Sequence, residues 1–180
     1  MKTMASLLLI ILSSTFFPVE AQQPKWQASK EPEDPFNKYI NSLPDADKVD
    51  ILAVGYIPIE KLREVDCKDP RNLCHPPYGF AVRILARTLI VGKAAEKVTA
   101  LWRKLQPGNS MGCFAPGYVM RFYSKEKLMM ETEVCFHCCN VSLPSYGLAG
   151  VCGNGKAIRS FERMVMSLLP YPRARSENKK

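Results

Sequence analysis

Histidine is scarce in this chain, which holds His75 and His137 and no others. Neither stands in a His-Glu-x-x-His pair, and Gly-x-Ser-x-Gly is absent, so a zinc-protease helix and a nucleophile elbow are both excluded. No segment reaches the roughly 20 consecutive apolar residues of a membrane-spanning helix. A second C-x-x-C, an H-x-x-x-H, the Lys-Ser/Thr of a P-loop, a stacking-aromatic nucleic-acid motif and an internal repeat are missing as well. These absences leave no reaction that the sequence names.

Residues 1–21 read as a secretory signal peptide, with Lys2 as its charge, an apolar core at 5–12 and Val19-Glu20-Ala21 as the small-residue cleavage site. No cysteine stands at that site, which argues against a lipid anchor. Cleavage leaves a mature chain of about 159 residues, enough for one domain with a sizeable core. The net charge stays at +8, because Lys2 and Glu20 leave together. Residues 22–34 read as a disordered leader, 35–170 as a single domain and 171–180 (YPRARSENKK) as a basic tail.

Export places the seven cysteines in an oxidising compartment. They make three bridges and a thiol, or two bridges and three thiols. Cys67 and Cys74 bracket a polar loop and are expected to pair with each other. The full set of bridge candidates is Cys67, Cys74, Cys113, Cys135, Cys138 and Cys152.

The pattern of elements predicts the fold. Asp34-Pro35 opens a short helix that stops before Pro44. The apolar, β-branched run 49–57 is a strand ended by Pro58, and 60–80 is a long polar connection. Residues 83–91 (RILARTLIV) form a strand inside a sheet. A helix over 93–105 carries Ala94, Val98, Leu101, Trp102 and Leu105 as one apolar stripe. A hairpin follows, with strands at 118–123 and 128–143. After a glycine-rich loop, a helix over 156–169 buries Ile158, Phe161, Val165, Leu168 and Leu169. This order predicts an α+β two-layer domain, a mainly antiparallel sheet covered on one face by two amphipathic helices.

Alternation along the second hairpin strand puts Leu128, Met130, Thr132, Val134, Phe136 and Cys138 towards the core. Met129, Glu131, Glu133, Cys135, His137 and Cys139 fall on the other face. A three-residue loop at 124–126 pairs Tyr123 with Lys127 and sets Tyr118, Met120 and Phe122 opposite Thr132, Met130 and Leu128. The face with Cys135, His137 and Cys139 is expected to be the exposed one, with Cys113 nearby.

Chemistry has few candidates. Cys135-Phe136-His137-Cys138 is a C-x-x-C, but it lies within a strand rather than at the helix N-terminus that activates a redox thiol. Cys113, Cys135, His137 and Cys139 offer soft ligands for zinc. Glu131 and Glu133 share a face and can be read as a carboxylate pair, or as ordinary alternating charge. The glycine-rich 150–155 loop before a helix is read as a turn and cap in preference to an anion site. The basic tail is a candidate for contact with an anionic envelope component; a nucleic-acid partner is not expected of an exported protein. Asn140-Val141-Ser142 is a glycosylation sequon inside a predicted strand.

Cys113-Phe114-x-Pro116, Arg121 and Val134-Cys135-Phe136-x-Cys138, set between a helix at 93–105 and a closing amphipathic helix, resemble a group of small exported bacterial proteins and lipoproteins of unknown function. Their shared core reads C-F-x-P…R…C-F-x-C, and the resemblance covers 81–169. Cys67, Cys74, Cys139 and Cys152 are additional to that pattern, and the lipobox cysteine of the lipoprotein members is absent. The resemblance implies a bacterial exported protein with the hairpin as its defining feature, and no activity. The expectation is a non-enzymatic domain stapled by bridges, with Cys113 joined to Cys135 or Cys138. The alternative is a zinc or thiol-redox protein using the Cys113 and 135–139 cluster.

Overall fold

The computed structural model describes residues 34–75, 80–109 and 114–172, leaving aside the side chains of Ile59, His75 and Phe80. The expected signal peptide, the leader up to residue 33, Cys113 and residues 173–180 of the basic tail lie outside the described residues.

The fold is α+β. Its strands are β1 (Lys48–Ile57), β2 (Asn72–His75), β3 (Phe80–Val91), β4 (Tyr118–Ser124), β5 (Lys127–Cys135), β6 (Asn140–Leu143) and β7 (Gly147–Gly150). The helices are α1 (Lys93–Trp102) and α2 (Gly155–Leu168), with a π-helical turn at Phe36–Asn41 and a 3-10 turn at Ile59–Glu64. The strands form one curled sheet in the order β2-β3-β1-β4-β5-β6-β7, and every neighbouring pair is antiparallel.

Alternation along β1 sorts its side chains between two apolar clusters. Val49, Ile51 and Ala53 join Met120, Phe122, Met130 and Val134 from the sheet with Val98 and Trp102 of α1 and Phe161 and Val165 of α2. Trp102 is fully buried, lies against the rings of Phe122 and Phe161, and donates its indole N–H to the Tyr39 carbonyl at 2.9 Å. Leu52 and Val54 instead meet Val82 and Val119, with Leu73 and Ile84 beside them.

The long connection contains more structure than its composition suggests. Asn72–His75 pairs with Phe80–Arg83 as a short edge strand. Arg71 binds the Asp69 carboxylate through Nε and Nη2 and holds its pKa down at about 2, and the Asp69 carbonyl accepts from Asn72 N–H at 2.9 Å. A Cys67–Cys74 bridge, with Cα atoms 5.8 Å apart, closes this loop.

The hairpin differs from its expected register. Its loop is the two-residue turn Lys125-Glu126, with φ of 48° and 64°, and Ser124 stands opposite Lys127. Two left-handed residues give a turn whose twist matches that of the strands it joins. Neither is glycine, and Lys125 N–H is held by the Asp47 carboxylate at 2.8 Å. A bulge after Phe122 then sets Phe122 opposite Met130, Met120 opposite Thr132 and Tyr118 opposite Val134. Leu128, expected in the core, is 46% exposed.

The second strand does not run on to residue 143. It stops at Cys135, turns through 136–139 and returns as β6, with Cys135 opposite Asn140. Cys139 takes a left-handed φ of 51°, and Val151 N–H donates to its carbonyl at 2.8 Å. Asn140 is fully buried, so the sequon nitrogen is inaccessible in the folded chain.

Residues following α1 run beside those following β7. Gln106 and Cys152 form a parallel bridge, and Gly108 N–H donates to Gly150 O at 3.1 Å. The two backbones approach so closely that a Cβ on Gly153 would lie 1.8 Å from the Pro107 carbonyl oxygen. Asn154 then caps α2, its side chain accepting from Lys156 N–H and Ala157 N–H at 3.1 and 3.2 Å. Gly153→Ala should therefore destabilise the fold by about 2 kcal/mol or more. Gly117→Ala, whose Cβ would meet only the Tyr171 ring at 3.6 Å, should change stability far less. Thermal unfolding of the two variants checks this; equal melting temperatures would show that the close approach does not constrain the fold.

Candidate functional site

The second face of β1 carries a buried charge. Asp50 is fully buried, and Arg87 of β3 donates through Nε and Nη2 to its two carboxylate oxygens at 2.8 and 2.9 Å. Arg121 of β4 lies opposite Asp50 on one side and opposite Glu131 of β5 on the other. Its Nη1 stands 3.8 Å from Asp50, and its Nε donates to Glu131. Direct and diagonal cross-strand neighbours thus build an ionic chain over β3, β1, β4 and β5. Asp50 raises the pKa of the Arg87 guanidinium through the hydrogen bonds and through its charge.

Glu133 is a further ionisable group on the same face. It is 2% exposed. Burial pushes its pKa up from 4.5 to about 7; the charge of Glu131 adds to the rise, and a hydrogen bond with Ser142 opposes it. Ser142 holds β6 to β5 at this point. Its hydroxyl accepts from Glu133 N–H at 2.9 Å, and its carbonyl accepts from the Thr132 hydroxyl at 2.6 Å.

Glu131 and Glu133 open onto a cleft of about 360 Å³ beside β5, also lined by Leu128, Met130, Ser142 and Ser145. Its lining mixes apolar side chains with carboxyl and hydroxyl groups. A second cleft, of about 450 Å³, lies at the start of α2 between Arg103, Lys104, Gln106, Asn154 and Lys156. Arg103 is committed there to Asp45 and to the Leu43 carbonyl.

The cysteines are arranged differently from the expected cluster. Cys139 is joined to Cys152, with Cα atoms 5.4 Å apart. Cys152 is one of the expected bridge candidates, whereas Cys139 is expected among zinc ligands and not in a bridge. The chain reversal at 136–139 brings Cys139 beside the segment after β7, which explains the pairing. A bridged sulfur is not a thiolate and cannot ligate zinc in that form. Cys135 is a buried thiol whose sulfur accepts from Cys138 N–H at 3.2 Å. His137 is exposed on the turn, so the face expected to display Cys135, His137 and Cys139 together does not exist as such. Among the described residues, no group of three or more His, Cys, Asp or Glu side chains is placed to hold a metal ion.

Arg121, singled out by the resemblance alone, is the link between Asp50 and Glu131. Asp50 and Arg87 were not singled out. The signal for them was present, since Val49-Asp50-Ile51 puts an acid inside an otherwise apolar strand and Arg87 interrupts a second one. Compared with known proteins, the chain matches no protein family, no curated protein and no solved structure.

Glu133 makes stability depend on pH. Below its ordinary pKa of 4.5 the group is protonated in both the folded and unfolded chains and adds no penalty. As pH rises towards 7 the unfolded chain ionises while the folded chain retains its proton, so stability falls. The loss amounts to about 3 kcal/mol and is complete above the folded pKa. Glu133→Gln should accordingly gain stability over the parent at pH 8 and show no such gain at pH 4. Denaturant unfolding at the two pH values measures the difference; an equal effect of the substitution at both would contradict the assignment.

Proposed function

We propose that the protein is an exported, disulfide-held domain of the bacterial envelope or secretome that binds a ligand, with the cleft beside β5 as its site. The pair of bridges carries this reading. Cys67–Cys74 and Cys139–Cys152 each lock an irregular segment against the sheet, and such bridges persist in oxidising compartments. No helix among the described residues is long and apolar enough to cross a membrane. We further infer a two-layer arrangement with α1 and α2 on the Val49–Ile51–Ala53 face of β1, supported by the core cluster those residues share with both helices. The opposite face then belongs to the ionic chain and the cleft. The exposed Leu128 beside Glu131 and Glu133 suits a ligand with an amine and an apolar body.

A second reading rests on Glu133. A carboxyl that retains its proton up to about pH 7 beside another carboxylate is the pairing used in general acid catalysis of hydrolysis. The two readings separate at one substitution. If the cleft is catalytic, Glu133→Gln abolishes turnover of a cleft-bound molecule and spares its binding at pH 6. If it only binds, neither form turns anything over.

The bridges are tested by non-reducing peptide mapping of the mature protein from an oxidising compartment, with zinc assayed in the same sample. The expected result is a Cys67–Cys74 peptide, a Cys139–Cys152 peptide and a Cys135 thiol that reacts only after unfolding. Reactive thiols at Cys139 and Cys152, with about one zinc per chain, would replace this account with the metal-site alternative.

A further inference from the structure

We propose that the outer edge of β3 is a self-association surface, on which two copies of the chain pair antiparallel about a two-fold axis at Leu89. This goes beyond the cleft and does not depend on it. β2 covers β3 only over Phe80–Arg83, with one further bond from Ile84 N–H to the Arg71 carbonyl at 2.7 Å. Among the described residues no strand pairs with that edge over 85–91. β2 cannot extend to cover it, because the Cys67–Cys74 bridge and the turn at Asp69 pull the preceding chain away.

The free edge is apolar. Leu85, Leu89 and Val91 are 46%, 53% and 62% exposed. An exposed apolar edge is ordinarily blunted by charge, proline or cover. Here the edge over 85–91 has no proline, and its one charged residue, Arg87, has its charge paired with Asp50 although its side chain is 60% exposed.

Backbone direction fixes which groups face out. Gly92 N–H points to β1, where it donates to the Asp47 carbonyl at 2.9 Å. Alternation then turns the N–H and C=O groups of Arg87, Leu89 and Val91 away from β1. With Leu89 opposite Leu89 of the second copy, that pair exchanges two backbone hydrogen bonds. Each of the two Arg87–Val91 pairs exchanges two more. Leucine meets leucine on the axis, and each arginine meets a valine. Moving the axis to Arg87 would set two guanidiniums directly opposite, which cross-strand pairing disfavours. The Leu89 register is therefore self-complementary in hydrogen bonds, apolar contact and charge, which is what a two-fold interface requires.

Sedimentation equilibrium of the mature chain, from low micromolar to millimolar concentration, tests the proposal. The average mass should double across the range. Leu89→Arg should hold it at the monomer value, and Leu148→Arg, at a comparably exposed leucine on β7, should leave the doubling intact. Leu89→Cys adds a positive readout, because directly opposite hydrogen-bonded residues have Cα atoms about 5.5 Å apart, within disulfide reach. It should form a covalent dimer through residue 89 on mild oxidation, and Leu148→Cys should not. A chain that stays monomeric throughout overturns the proposal and leaves the edge to a different partner. A dimer that Leu89→Arg does not weaken, or that Leu148→Arg weakens equally, overturns it as well.

Discussion

Asp50 has no exposed surface, and an ion in that position is tolerated only where opposite charge and hydrogen bonds replace the water it has lost. Arg87 supplies both from one neighbouring strand, and Arg121 adds opposite charge at 3.8 Å from the other. The requirement reaches beyond the site. A one-residue slip of β1 would carry Asp50 to the face of Val49 and Ile51, away from both guanidiniums and into an apolar core. The ion pair therefore acts as a register device for the middle of the sheet. Only the carboxylate of the Arg87 pair is fully buried, Arg87 itself being 60% exposed, so it is Asp50 that depends on its partners.

The same constraint explains the character of Glu133. Arg121 is shared between Asp50 and Glu131, and Glu133 is buried beside Glu131 on the same face. A further buried carboxylate beside Glu131 is held in its neutral form towards neutrality by burial and by repulsion. Glu133 thus lines the cleft as a buried carboxyl that keeps its proton towards neutrality. The far ends of β5 and β6 are held separately. The close approach of Gly153 to Pro107 and the Cys139–Cys152 bridge anchor the turn from which β6 returns along β5.

Much of the fold was legible in the sequence where a pattern was sustained. The strand at 49–57, the strand at 83–91 and both amphipathic helices show their period over enough residues to be read directly. Reading failed where backbone geometry overrode the pattern. Period-two alternation continues through Phe136 and Cys138, yet the chain reverses there, with Cys139 in a left-handed conformation and bridged to Cys152. Lys125-Glu126 forms a left-handed turn with no glycine to announce it. The short β2 is hidden in a loop rich in charge and proline, because four residues are too few to show a period. Of the site, Arg121, Glu131 and Glu133 were visible as residue types. Their joining through Asp50 depends on a strand order that one-dimensional spacing does not contain.

Burial beside the Glu131 carboxylate makes Glu133 titrate near neutrality. This titration is tested most directly by following the side-chain carboxyl carbons of the glutamates by NMR across pH 3 to 9. One glutamate should show a midpoint at about 7, assigned by its loss in Glu133→Gln and moving down in Glu131→Gln. Glutamates that all titrate near the ordinary value of about 4.3 would contradict it.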